Sequence, residues 1–221
     1  MKGREVGPSG LLAGFKDSFS VNKNNLGPTG NNPYFILDPG YKLSYERRAV
    51  KGRKAGISAF TTTVLNETKI VDGVETRVVQ EREERNGQLV EVTRDYFAID
   101  ESTNDVYYFG EDVNHYKNGM VVNHKGAWLS GVDGAKFGLI MPSQLMVGDK
   151  FYQELAPNTA MDRAELVGTD EKVETPAGTF ENCIHFKESS ALEASTSHKW
   201  YAKGVGLVKD GKFVLVKIEK V

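Results

Sequence analysis

Five Asx-Gly pairs punctuate the chain: Asp72-Gly73, Asn86-Gly87, Asn118-Gly119, Asp133-Gly134 and Asp210-Gly211. Each supplies residues that tolerate positive φ, which a two-residue hairpin turn requires at its centre. The segments around them alternate with period two. Tyr41, Leu43 and Tyr45 are interleaved with Lys42, Ser44 and Glu46, Phe60 to Leu65 is a Thr-rich run, and Val74 to Val79 is another. Such alternation marks half-buried strands. No helical stripe of useful length follows residue 31. The chain therefore reads as an all-β, antiparallel protein with little helix.

Composition narrows the function. Lys and Arg number 28 against 30 Asp and Glu, a net charge of −2, which suits neither nucleic acid nor an anionic membrane surface. A lone cysteine, Cys183, excludes an intramolecular disulfide framework and a cysteine-based zinc site. No apolar run approaches the ~20 residues of a membrane-spanning helix. Met1-Lys2-Gly3-Arg4 is not followed by an apolar core, so this chain carries no signal peptide: it is cytosolic, or its signal has been removed. There is no GxSxG elbow, GxxxxGK[ST] loop, HExxH or EF-hand pattern, and the expectation is a non-enzyme, with a hydrolase as the weakest alternative.

Residues 1–31 are rich in Gly, Asn, Pro and Ser and read as a flexible arm ahead of a β domain spanning 32–221. A sharper reading gives Leu11, Leu12, Phe15 and Phe19 one helical stripe that docks on the domain or a partner. Self-association by strand addition through the arm is a further option.

Two hairpins allow registers to be written. With Asn86-Gly87 at a turn centre, Arg82 faces Glu91 and Gln80 faces Thr93, giving a ribbon charged on both faces that is expected to project into water or to form the wet end of a curved sheet. With Asn118-Gly119 at a turn centre, His115 faces Val122 and His124 faces Val113. Both imidazoles then share a face as diagonal neighbours, ~7–8 Å apart or somewhat less at Cβ, with Glu111 on the same side. Two imidazoles and a carboxylate suit a transition metal. Glu111, Asp112 and Asp133 are a weaker candidate set for calcium. In the later strands Phe180, Ile184 and Phe186 share one face, with Cys183 and His185 on the other. Trp128 and Trp200, with Tyr107, Tyr108 and Phe109, are the candidate aromatic walls of an apolar cavity, or else part of the core. The glycines flanking Val205 would bend a sheet so that it curls around such a cavity.

Several stretches resemble a family of exported bacterial proteins, often lipoproteins, of unassigned function. They are Asn32-Pro33-Tyr34-Phe35, Leu37, Pro39-Gly40 and Tyr45-Glu46, followed by Val106 to Asp112 and Gly126-Ala127-Trp128. Gly131 to Ala135, Ile140-Met141-Pro142 and Val147-Gly148-Asp149 continue the series. It closes with Thr175-Pro176-Ala177-Gly178-Thr179-Phe180 and Trp200 to Val208, which are similar to motifs of periplasmic half-barrel and barrel proteins. The resemblance implies a single, strongly curved sheet, export to the periplasm or cell exterior, and a membrane attachment only through a lipid anchor no longer present. It assigns no catalytic residue. The expected partner is a small apolar ligand or an envelope protein. No cofactor is expected, apart from a transition metal on the alternative reading.

Overall fold

The computed structural model describes residues 14–48 and 57–220. Among them are sixteen strands and one 3-10 turn, Lys23–Asn25. The first strands are β1 (Leu26–Gly27), β2 (Tyr41–Arg48), β3 (Ile57–Val71), β4 (Val74–Arg85) and β5 (Gln88–Asp100). Then come β6 (Val106–Lys117), β7 (Met120–Asn123), β8 (Trp128–Leu129), β9 (Lys136–Met141), β10 (Lys150–Tyr152) and β11 (Glu154–Leu155). The chain ends in β12 (Asp162–Thr175), β13 (Gly178–Ser190), β14 (Thr196–Ala202), β15 (Gly206–Asp210) and β16 (Phe213–Lys220). All sheet pairings between them are antiparallel, and the order β12-β13-β14-β15-β16-β2-β3-β4-β5-β6-β9 wraps into a nearly closed barrel.

The segment 150–155 completes the circuit. Its first half, β10, pairs with β12, and its second half, β11, pairs with β9. Closure on this seam demands a glycine. A Cβ on Gly138 would lie 2.5 Å from the Gln153 carbonyl carbon and 2.6 Å from the Tyr152 oxygen, both backbone atoms. Gly138→Ala is expected to cost about 2–3 kcal/mol, the range for forcing one extra carbon into a filled space. Urea unfolding would read this as a lower midpoint at unchanged slope. A cost below about 0.5 kcal/mol, typical of an unconstrained surface site, would mean that the seam is open there.

The turn chemistry is as expected at Asp72-Gly73, Asn86-Gly87, Asn118-Gly119 and Asp133-Gly134, where both residues of each pair have positive φ. At the last pair only Gly211 does, and Asp210 remains in β15, paired with Phe213. The registers beyond two turns differ from expectation. A bulge between Glu83 and Glu84 places Glu83, not Arg82, opposite Glu91, and Glu81 opposite Thr93. A second bulge beside Tyr116 places His115 opposite Asn123. The charged β4–β5 ribbon is not a free projection but the wet end of the curved sheet, with Arg82 and Arg85 to Gln88 exposed. Its strands are mid-wall in the barrel, and one of its charged faces looks into the lumen.

Residues 14–31, expected as part of a free arm, lie against the barrel. The Lys16 N–H donates to the Lys150 carbonyl and the Tyr152 N–H to that of Lys16, both at 2.9 Å. Phe19 packs edge-on to Tyr107 at 6.0 Å, and β1 pairs with the end of β5. The apolar side chains dispersed among Gly and Asn suffice, because the wall beneath offers exposed aromatic faces and a short sheet edge. Phe15 and Phe19 are not helical; Leu11 and Leu12 lie outside the described residues.

Candidate functional site

Inside the barrel lies a cavity of about 230 Å³. Alternation along the strands puts Tyr45, Val64, Val79, Phe97, Tyr108 and Tyr201 on its walls. Tyr34, Phe35 and Ile36 form a strap across it. The strap is tied down on its N-terminal side. The Gly204 N–H donates to the Pro33 carbonyl (2.7 Å), and Asn32, itself buried, donates from Nδ2 to the Asn104 carbonyl (2.9 Å). Val205, Gly206 and Leu207 supply the facing side. Phenol groups are anchored rather than loose: Tyr41 donates to the Val205 carbonyl (2.9 Å), Tyr45 to that of Leu207 (2.8 Å), and Tyr108 to Asp95 Oδ1 (2.7 Å). Their ring surfaces are left to the cavity.

Three lining residues are charged: Glu81, Asp95 and Lys199. Asp95 sits opposite Glu111 on β6, and Lys199 opposite Asp210 on β15. Lys199 Nζ is 2.9 Å from Glu188 Oε2, and Gln153 donates to the other Glu188 oxygen at 2.9 Å. Burial alone would push the Lys199 ammonium down, but Glu188 and Asp210 outweigh it and hold it well above its ordinary value. The acids move upward. Burial, then the Asp95 charge, raises Glu81 to about 8. Burial raises Glu154 to about 8, reinforced by Asp162 although the Asp162 N–H donates to its carboxylate. Burial likewise raises Asp95 and Glu111, which repel one another across the β5–β6 pair. The site is an aromatic chamber with an acidic side and one neutralised lysine.

Of the expected wall aromatics Tyr108 borders the cavity, Tyr107, Phe109 and Trp128 belong to the core, and Trp200 lies on the outside. Tyr108 faces inward, so its neighbours Tyr107 and Phe109 face outward. Tyr107 lies under Phe19, and Phe109 stacks on Phe137 at 4.7 Å. Trp128 packs edge-on to Tyr108 (5.3 Å) and borders a separate depression of about 270 Å³ near Asp133 and Pro157. Its indole Nε1 has no hydrogen-bond partner among the described residues. Trp200 is outward because Tyr201 is inward. It stacks on His185 at 4.2 Å and donates to Glu171 Oε2 at 2.5 Å. Glu171 Oε1 is 2.7 Å from His185 Nδ1, and His185 Nε2 is 2.7 Å from His198 Nδ1. Burial pushes the Glu171 carboxyl up, but the Trp200 and His185 hydrogen bonds prevail and hold it below its ordinary value.

The expected metal set is not assembled. His124 donates from Nδ1 to the Val113 carbonyl (2.8 Å), and His115 donates from Nε2 to that of Lys125 (2.9 Å). His115 Nδ1 is occupied by Glu91 Oε2 at 3.0 Å. Glu111 is drawn to the lumen beside Asp95. Asp112, on the opposite face, bonds Lys69 (2.9 Å) and Tyr96. Among the described residues no group of three His, Cys, Asp or Glu side chains has a metal-holding arrangement. The physical cause is the bulge beside Tyr116, which shifts the pairing that the turn alone would set. Cys183 is fully buried as a small hydrophobe, although not on the face that alternation predicted. Asn182 takes a left-handed conformation (φ 52°), and Cys183 joins Phe180 and Val173 in a second apolar cluster.

Glu81, Asp95, Tyr201 and Lys199 escaped sequence reasoning as site residues. For Glu81 and Asp95 the one signal was the two-faced charge of the β4–β5 ribbon, which a polar lumen explains; Tyr201 was marked only as part of the resemblance, and Lys199 by nothing. The stretches that carried the family resemblance converge here: Tyr34-Phe35, Tyr45, Tyr108, Ile140, Tyr201 and Val205 to Leu207 all border the cavity.

Comparison with known proteins agrees with that resemblance. Residues 147–214 match the family model described as DUF3108-like; this segment contains both the Thr175 to Phe180 and the Trp200 to Val208 motifs. No curated protein matches the chain. Among solved structures, one is described as a candidate exported protein with a YmcC-like fold from Bacteroides fragilis. It is 16% identical, with a TM-score of 0.43, over 86% of this chain and 100% of that one. Another, described as a candidate lipoprotein from Parabacteroides distasonis, is 15% identical with a TM-score of 0.37, over 86% of this chain and 100% of that one.

Proposed function

We propose that this protein is a non-catalytic, exported binding protein that holds a small molecule with an apolar, ring-sized body inside its β-barrel. The observation that carries this reading is the chamber of about 230 Å³ between the strap and the inner wall. Ligand sites are typically concave and mostly apolar, with a few fixed polar groups that set orientation. Here the apolar part is Leu43, Val64, Val79 and the ring faces, and the polar part is Glu81, Asp95 and Lys199. The location outside the cytosol rests on the motif resemblance described above. Fractionation of cells expressing the full gene tests it, and recovery in the cytosol alone would refute it.

Binding is tested with naphthalen-2-ylmethanol, a neutral ring of suitable size, by calorimetric titration. Thr62 borders the cavity and is opposite Glu81 on the inner face. Thr62→Phe fills space that the ring would take, and is expected to weaken binding at least about ten-fold, ~1.4 kcal/mol. Equal binding by the variant, with an unaltered melting temperature, would place the ligand elsewhere and overturn the proposal.

A further inference from the structure

We propose that the ligand carried in this chamber is a cationic amphiphile: a primary or secondary amine on an apolar ring body, with its ammonium between Glu81 and Asp95. This rests on the ligand-carrying reading above and names the chemical class it selects. The argument is one of charge balance at a defined place. Lys199 is already matched, by Glu188 at 2.9 Å and by Asp210 across the β14–β15 pair. Asp95 has one oxygen taken by the Tyr108 hydroxyl (2.7 Å). Glu81 makes no hydrogen bond or ion pair with any described residue, yet it borders the cavity, half-buried on the inner face of the barrel wall. A carboxyl held largely out of water without a partner is costly unless it is protonated or a ligand supplies the partner.

An ammonium satisfies that requirement and an anion aggravates it. The surrounding rings reinforce the choice. The hydroxyls of Tyr45 and Tyr108 are spent on Leu207 and Asp95, so these side chains meet the cavity mainly through their rings. Aromatic faces attract cations, and more strongly in a desolvated site. Glu81 retains its proton more firmly than an exposed carboxyl because burial and the nearby Asp95 charge disfavour ionisation. Arrival of an ammonium reverses that preference, so the proton leaves to solvent as the ion pair forms. Atoms and charge balance in this step: the O–H bond of Glu81 breaks, its proton goes to buffer, and carboxylate meets ammonium.

The test compares three probes of one shape on the intact chain at pH 7: naphthalen-2-ylmethylamine, naphthalen-2-ylmethanol and 2-naphthoate. The amine is expected to bind at least about ten-fold more tightly than the alcohol, with the carboxylate weakest. Calorimetry in buffers of different ionisation enthalpy is expected to show proton release with the amine and none with the alcohol. Glu81→Gln, which keeps the shape, is expected to bring amine and alcohol within about two-fold of each other. Asp95→Asn gives the same comparison should that variant fail to fold. Equal binding of amine and alcohol by the unmodified protein, or tightest binding of the carboxylate, overturns the inference and leaves the ligand-carrying reading standing. Failure of all three to bind overturns that reading, and this inference with it.

Discussion

Lys199→Met is expected to destabilise the protein by about 1–3 kcal/mol at pH 7, the cost of leaving a charged group unsatisfied in a partly buried pair whose lysine side chain is 27% exposed. The methionine fills much of the same volume, so packing accounts for little of it. What remains is Glu188, whose Oε2 loses a partner at 2.9 Å, and Asp210, whose neighbouring positive charge disappears. Two carboxylates are then left in a region already crowded with Glu81, Asp95 and Glu154. Chemical unfolding measures the loss, and its dependence on acidity identifies the cause. At pH 5 the orphaned acids take up protons more readily, so the deficit should shrink. The double variant Lys199→Met/Glu188→Gln should recover a substantial part of the single-variant loss, because neighbouring sites of this kind are non-additive. A deficit that is the same at pH 5 and pH 7, and unaffected by the second substitution, would show that Lys199 acts through packing instead.

The unmodified protein should lose stability on the order of 4 kcal/mol as pH rises from about 5 to about 9. The direction follows from the folded carboxyls. Glu81 and Glu154 bind their protons with pKa about 8, against an ordinary glutamate value of 4.5. Below that ordinary value both folded and unfolded states are protonated and the full stability is present. As pH climbs from there toward about 8 the unfolded chain has already ionised, and the folded state is progressively penalised for keeping buried acids. A carboxyl whose pKa is one higher in the folded than in the unfolded chain costs about 1.4 kcal/mol once both states have ionised. The two contributions, summed without screening, would exceed the stated loss. Water reaching the cavity screens part of that sum. Melting temperature against pH is the measurement. A Glu81→Gln/Glu154→Gln variant should show a flatter profile above pH 6, whereas an unchanged slope would mean that these acids are hydrated in the folded state.

This behaviour runs against the usual one for salt-bridged surface carboxylates, which stabilise as pH rises. It is a direct consequence of putting acids on the inner face of a barrel. For a carrier, the arrangement leaves the chamber short of a positive partner at neutral pH. The amine-selectivity experiment exploits that deficiency, and the pH profile supplies an independent view of the same groups without any ligand. Glu81→Gln is informative in both settings because it removes the ionisation while keeping the side chain's shape.

Several features were legible before any coordinates. The Asp72-Gly73, Asn86-Gly87 and Asn118-Gly119 reversals, the period of two around Tyr41 to Glu46, and the absence of helical stripes all specify antiparallel strands through local φ preference and side-chain alternation. Val205, expected at a bend within a sheet, instead lies in the turn that joins β14 to β15. Sidedness close to a turn was also readable: Arg85 opposite Gln88 and Lys117 opposite Met120 follow from the turn centre alone. It became unreadable one or two residues later, at the bulges. A bulge adds a residue to one strand when the barrel's curvature requires it, and that requirement comes from the partner strands, not from the bulged sequence. The metal expectation failed at this point, since it depended on His115 and His124 keeping the parity set at Asn118-Gly119.

The inventory of strands and turns was thus contained in the chain itself, because backbone preference and alternation act over a few neighbouring residues. The tertiary structure alone decided which face of each strand became lumen. It took ring closure through residues 150–155, between β12 and β9, to turn a charged ribbon inward and gather Glu81, Asp95 and Lys199 around one chamber. That closure also needs β16 to pair with β2, which joins residues more than a hundred positions apart in the chain, and no local pattern encodes such a pairing.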